Sequence, residues 1–196
     1  MKEKTWGLGQ ILFMEWLFPV FDYYSSLRKS ERRFEILLPL LAAIISSTVY
    51  VKIGKVSIAL DALAELLPTA VSILIGFTVM LITLLLTTDS EQVRKLKEEI
   101  TENRVRGKKI TLYQKLHIQL TESLFSEVFL LLAVFAYLFY SGIASALLVE
   151  IIFLIAEVYM TAHILLGILR SITHLYCVCH RRVIIAPMAG KKLTHA

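Results

Sequence analysis

Asp61, Glu65, Glu127, Glu150, Glu157 and His163 stand within or beside long apolar stretches. An ionisable group in such a place is a functional hypothesis by default, because a charge at the middle of a bilayer costs about 2.5–3.5 kcal/mol on insertion scales. Glu157 is the most informative of them. Apolar-dominated sequence flanks it on both sides, Glu150 precedes it by two helical turns, and Thr161 follows by about one. The three therefore share a helix face that has to turn away from lipid. Two chemistries suit that face. One is a polar path, or a proton-sensitive group lining an oligomeric pore. The other is structural, with the Glu157 carboxyl hydrogen-bonded to a Ser, Thr or Tyr of a neighbouring helix.

Ser57, Asp61, Glu65 and Thr69 recur at helical spacing and form a second acidic stripe. Several copies around an axis would make a cation-selective ring. Alternatively, Asp61 and Glu65 are solvated or pair with Lys52 and Lys55. His174, Cys177, Cys179 and His180 are four soft ligands in a short stretch. Zinc takes such donors, yet Cys-x-Cys is not the usual knuckle spacing, and the group follows an apolar run directly. These residues read as juxtamembrane side chains, and neither a metal nor a cofactor is expected. A third cluster is basic: Arg94, Lys95, Lys97, Arg104, Arg106, Lys108 and Lys109. Glu91, Glu98, Glu99, Glu102 and Glu122 balance it, and Tyr113 is its one aromatic. The stretch suits a protein partner better than direct contact with nucleic acid. No Gly-rich phosphate loop, nucleophile elbow or His-Glu-x-x-His motif occurs, so there is no positive reason to propose an enzyme.

The elements that must position these residues follow from composition. The 196 residues are 57% hydrophobic and 19% charged, and the mean hydropathy is +0.68. That is more apolar and less charged than a soluble domain. The apolar residues fall in blocks long enough to span a bilayer. The expected fold is an all-α integral membrane protein, a bundle of four spanning helices. Residues 1–33 form an interfacial N-terminal segment with a helix over 5–24, rich in Trp and Tyr. Its charged start could belong to a signal peptide, but Glu15 interrupts the run and no small-residue cleavage site follows, so no cleavage is expected. The first helix pair occupies 34–88, with spans over 34–51 and 69–88 and an amphipathic segment at 56–68 that Pro68 kinks or divides. Residues 89–123 form a charged helical hairpin. Its signals are a capping box at Thr88/Glu91, a turn around Gly107, and a second capping box at Thr111/Gln114 whose helix runs on into the membrane. The second pair, 124–170, holds spans over 124–140 and 146–169, and 171–196 is a basic tail.

Of the 21 Lys and Arg, only Lys52 and Lys55 fall on the side opposite the termini. Positive residues accumulate on the cytoplasmic side, so both termini and the 89–123 loop are expected there. Lone carboxyls at several depths of a small bundle are more easily satisfied across a symmetry axis, which favours a homo-oligomer.

The basic N-terminus, the four spans, the stretch from Ser72 through ILIGFTVMLITLLL to Thr87-Thr88-Asp89-Ser90 and the basic helix from Val93 together resemble the membrane subunit of bacterial antiviral systems, the Kiwa system in particular. The resemblance is one of architecture and carries over no functional residue. It implies a homo-oligomer, a tetramer first, in the bacterial inner membrane, working as a sensor or scaffold with a soluble cytoplasmic partner able to bind nucleic acid. An oligomeric ion-conducting pore using the acidic intramembrane residues is the alternative.

Overall fold

The structure, a computed structural model, describes residues 18–105, 107–143 and 146–189, with side chains up to residue 176 apart from Gln92. In chain order the elements are α1 (Phe18–Ser26), α2 (Lys29–Ile53), α3 (Val56–Thr87), α4 (Glu91–Glu98), β1 (Ile100–Val105), β2 (Lys108–Thr111), α5 (Leu112–Ser141) and α6 (Leu147–Ala189). Four of them, α2, α3, α5 and the Leu147–Tyr176 part of α6, are long and apolar enough to cross a membrane. The chain is thus a multi-pass membrane protein. At 1.5 Å per residue, the 32 residues of α3 reach about 48 Å, well beyond a hydrocarbon core of about 30 Å. Its ends therefore stand outside the core.

Helices α3, α5 and α6 pack together, and α2 lies on the far side of α6, touching α3 little. The central core joins Leu60, Ala64, Leu67 and Val71 of α3 to Leu130, Val134 and Tyr137 of α5 and Leu154 and Ile164 of α6. Small residues on α3 let the backbones approach where water and lipid are both excluded. Only 17% of the most apolar window of α2 is buried inside the chain, so most of that helix is left to lipid.

Local chemistry sets the joints. Gly54 ends α2 with a φ of 69°, while its N–H and that of Lys55 donate to the carbonyls of Val51 and Tyr50 at 3.1 Å. This left-handed cap is strained for any residue with a Cβ. Pro68 neither divides nor ends its helix, and α3 runs through it unbroken; Ser72 Oγ donates to the Pro68 carbonyl at 2.6 Å.

The segment 89–123 departs from the expected all-helical hairpin. Ser90, not Thr88, caps α4 by accepting from the Val93 N–H, and the helix ends at Glu98. An antiparallel β-hairpin follows, with Val105 opposite Lys108 and Ile100 opposite Thr111. The β-branched residues Ile100, Thr101, Val105, Ile110 and Thr111 favour strands, and Gly107, with φ at 81°, turns between them. Thr101 Oγ1 donates to the Ile110 carbonyl at 2.7 Å and closes the pair. The second capping box is present as expected, with Thr111 and Gln114 each accepting from the other's N–H. It opens α5, which runs into the membrane without a break. The expected helix over 5–24 lies outside the described residues up to position 17. Its remainder, α1, packs against α5 and β1.

Candidate functional site

Two groups of buried polar side chains occur at different depths. The first is at the end of the bundle that carries the hairpin. Arg170 of α6 pairs with Glu31 at 2.8 Å and also with Glu35, one helical turn apart on α2. Tyr23 of α1 is buried and donates its hydroxyl to Glu35 Oε2 at 2.5 Å. Burial pushes the Tyr23 phenol well up from its ordinary value, with the Glu122 carboxyl adding to the shift, so the hydroxyl stays a donor throughout the physiological range. Asn103 of β1, only 5% exposed, donates to the Ser26 carbonyl at 2.7 Å. Its Oδ1 lies 3.4 Å from Lys115 Nζ on α5. Arg28 pairs with Glu102 across the hairpin's edge. One connected network thus ties α1, α2, α5, α6 and β1 together.

The second group runs deeper. Glu122 Oε1 accepts from Ser126 at 2.9 Å and faces His163 Nε2 at 3.0 Å. The His163 ring lies nearly parallel to those of Tyr24 and Tyr159, with centroids 6.5 and 6.1 Å away, and Tyr23 is edge-on to it. Glu127 Oε1 accepts from Thr78 at 2.8 Å and Ser123 at 3.3 Å. Gln119 Nε2 donates to the Gly167 carbonyl at 3.0 Å. Glu157 differs from all of these. It is fully buried, and among the described residues neither carboxyl oxygen has a hydrogen-bond partner.

The acidic stripe of α6 is therefore turned inward, as the spacing predicts, with Glu150 and Thr161 half-buried beside the enclosed Glu157. Thr161 Oγ1 donates to the Glu157 main-chain carbonyl at 2.7 Å, not to its carboxyl. One chain encloses Glu157, so its cover needs no second copy. Of the α3 stripe, Asp61 accepts from Tyr137 Oη at 2.9 Å and Glu65 is exposed. Asp61 is exposed as well, so both carboxyls of the stripe reach solvent, and the bond to Asp61 comes from a hydroxyl of α5.

On the hairpin module, Arg94, Lys97, Arg104, Lys108 and Lys109 are exposed, while Lys95 is half-buried and holds Glu91 at 2.5 Å. Lys97 Nζ lies over the Tyr113 ring. Arg106 lies outside the described residues, as do the side chains of Cys177, Cys179 and His180; His174 is half-buried. Among the described residues no group of His, Cys, Asp and Glu is arranged to hold a metal.

Sequence reasoning missed the hairpin-end lock. Its signals were Glu31 and Glu35 one turn apart at the start of a span, and Arg170 where the last span closes. It also read Glu122 as loop charge, although α5 carries that residue into the bundle beside His163. No family model matches the chain, and searches of curated proteins and of solved structures find no match either.

Proposed function

We propose that this protein is a non-enzymatic sensor or scaffold subunit of the bacterial inner membrane. Its hairpin module, α4 with β1 and β2, faces the cytoplasm and docks a soluble partner. The observation that carries this reading is Asn103: a side chain of the module is buried among bundle groups, while the module's basic residues stay exposed. A surface built this way feels movement of the bundle and offers it to a partner, since elements joined by satisfied hydrogen bonds move together. The concentration of Lys and Arg on this side and at the termini supports a cytoplasmic orientation. The antiviral setting and the tetramer rest on the architectural resemblance alone.

A second reading is favoured by Glu157. A carboxyl that has no partner among the described residues suits an ion-conducting oligomer in which opening of the bundle exposes it and a moving cation or proton supplies the missing contact. One pair of experiments separates the two. The soluble product of a neighbouring gene is co-expressed and co-purified with the wild-type chain and with an R104E/K108E/K109E variant. Loss of the partner in the variant, with membrane assembly intact, is the expected result. Conductance of the purified chain alone in planar bilayers, abolished by E157Q, would replace this reading with the second.

A further inference from the structure

Helix α4 lies across the hairpin end of the bundle like a lid, its Leu96 turned inward and Arg94 and Lys97 turned out. Beneath it is a cavity of about 240 Å³ between α3, α4, α5 and α6. Its walls include Leu85, Leu96, Leu116 and Leu120, and all its lining residues are apolar except Thr88 and Ser90 at one end. We propose that this cavity binds an acyl chain of a phospholipid taken from the leaflet on the hairpin side.

The chemistry of the walls limits what the space can hold. The space is a half-open apolar recess, and leaving it unfilled forfeits packing contacts of the leucines around it. Water is a poor occupant, because an ordered water needs two to four polar partners. The only side-chain polar atoms here are two hydroxyls, and Ser90 Oγ already accepts from the Val93 N–H at 3.3 Å. A peptide segment is worse, since its amides would find no partners. A hydrocarbon chain asks for none.

Position selects the source of that chain. Leu84 belongs to the lining and is also 55% exposed on the outer side of α3, so the cavity is continuous with the surface that lipid covers. Its polar end is formed where the apolar run of α3 stops, at Thr88, and α4 begins, at Ser90. Thr88 and Ser90 thus put two hydroxyls at the end of α3, where the ester of a phospholipid could lie, and apolar residues line the rest. A lipid seated here would lie against Leu96 of α4 and Leu116 of α5, so its presence would set how closely the module sits on the bundle.

The test uses the full chain purified in mild detergent and examined by native mass spectrometry. The expected spectrum shows a phospholipid-mass adduct that survives gentle activation. L85W and L120W, which fill the cavity, should lower its occupancy about tenfold, a difference of ~1.4 kcal/mol in affinity. L66W, at an exposed position on α3, should leave it unchanged. A chain without any retained lipid, or an adduct equally abundant in the filled variants, overturns the proposal. A second measurement covers the case in which the filled variants do not fold. Wild-type chain in vesicles is labelled with a phospholipid carrying a photoactivatable diazirine on its acyl chain. Label concentrated in the peptides that contain Leu85, Leu96 and Leu116 supports the site. Label spread evenly over α2 and the outer faces of the other helices contradicts it.

Discussion

The hairpin end and the middle of the bundle differ in how their buried carboxyls are partnered. At the hairpin end, Glu31 and Glu35 share Arg170, Tyr23 donates to Glu35, and Asn103 bonds to the Ser26 carbonyl. In the middle, Glu157 is enclosed with neither oxygen partnered among the described residues, and Glu127 has one oxygen satisfied and one not. A satisfied network specifies one arrangement of the elements it joins, whereas an unsatisfied group is a place where the structure would gain by changing. The contrast separates what holds the fold from what could respond.

Arg170 gives the sharpest way to break this contrast. R170A leaves the buried Glu35 and the half-buried Glu31 beside each other without their cation and should lower stability by about 3 kcal/mol, no more than the lower end for a buried pair because Arg170 is itself partly exposed. Unfolding in mixed detergent micelles measures it. A loss below about 0.5 kcal/mol would show the network to be no stronger than a surface pair. In the middle the sign reverses. E157L removes a buried group that has no partner, and should raise stability by about 1–3 kcal/mol in the same assay. If E157L is instead destabilising, the carboxyl is satisfied in solution and the two regions are alike.

How much of this was legible in the sequence differs by region too. The spans were readable because apolar runs of that length have one use, and the inward turn of Glu150, Glu157 and Thr161 followed from helical spacing. The β-hairpin is hard to read because its short strands are interrupted by charged residues and lie between two capping signals, which point to helices. The β-branched pairs on either side of Gly107 were the competing signal, and they prevail because the hairpin seats Asn103 and Ile110 against the bundle. The hairpin-end lock was hidden for another reason. It joins residues far apart in sequence, and only the packing of α2 on α6 brings Glu31 and Glu35 to Arg170.

Smaller effects sharpen the comparison further. Y23F removes one charge-assisted hydrogen bond from a carboxylate that keeps its arginine, and should cost about 1.5 kcal/mol. Cysteine labelling at the joint adds an independent check, because the link at Gly54 lies at the end opposite the hairpin. G54A forces a residue with a Cβ into φ near 69°, yet that Cβ would meet nothing within 4 Å. Only the backbone term is left, about 1 kcal/mol. Labels at Lys52 and Lys55 should stay accessible from the same side as in the wild type. A larger loss would mean that the link packs against something more than the turn itself requires.

Asn103 ties the hairpin to the bundle, and hydrogen–deuterium exchange reads that tie. In the wild-type chain, the amides of β1 and β2 that are bonded across the hairpin should exchange slowly, as parts of the same cooperative unit as α5. In N103A those amides should exchange about tenfold faster, equivalent to ~1.4 kcal/mol, while the amides in the membrane-embedded turns of α5 and α6 keep their wild-type rates. Fast exchange of the hairpin in the wild-type chain, unaltered by N103A, would show a module that moves independently of the membrane helices and would contradict the account.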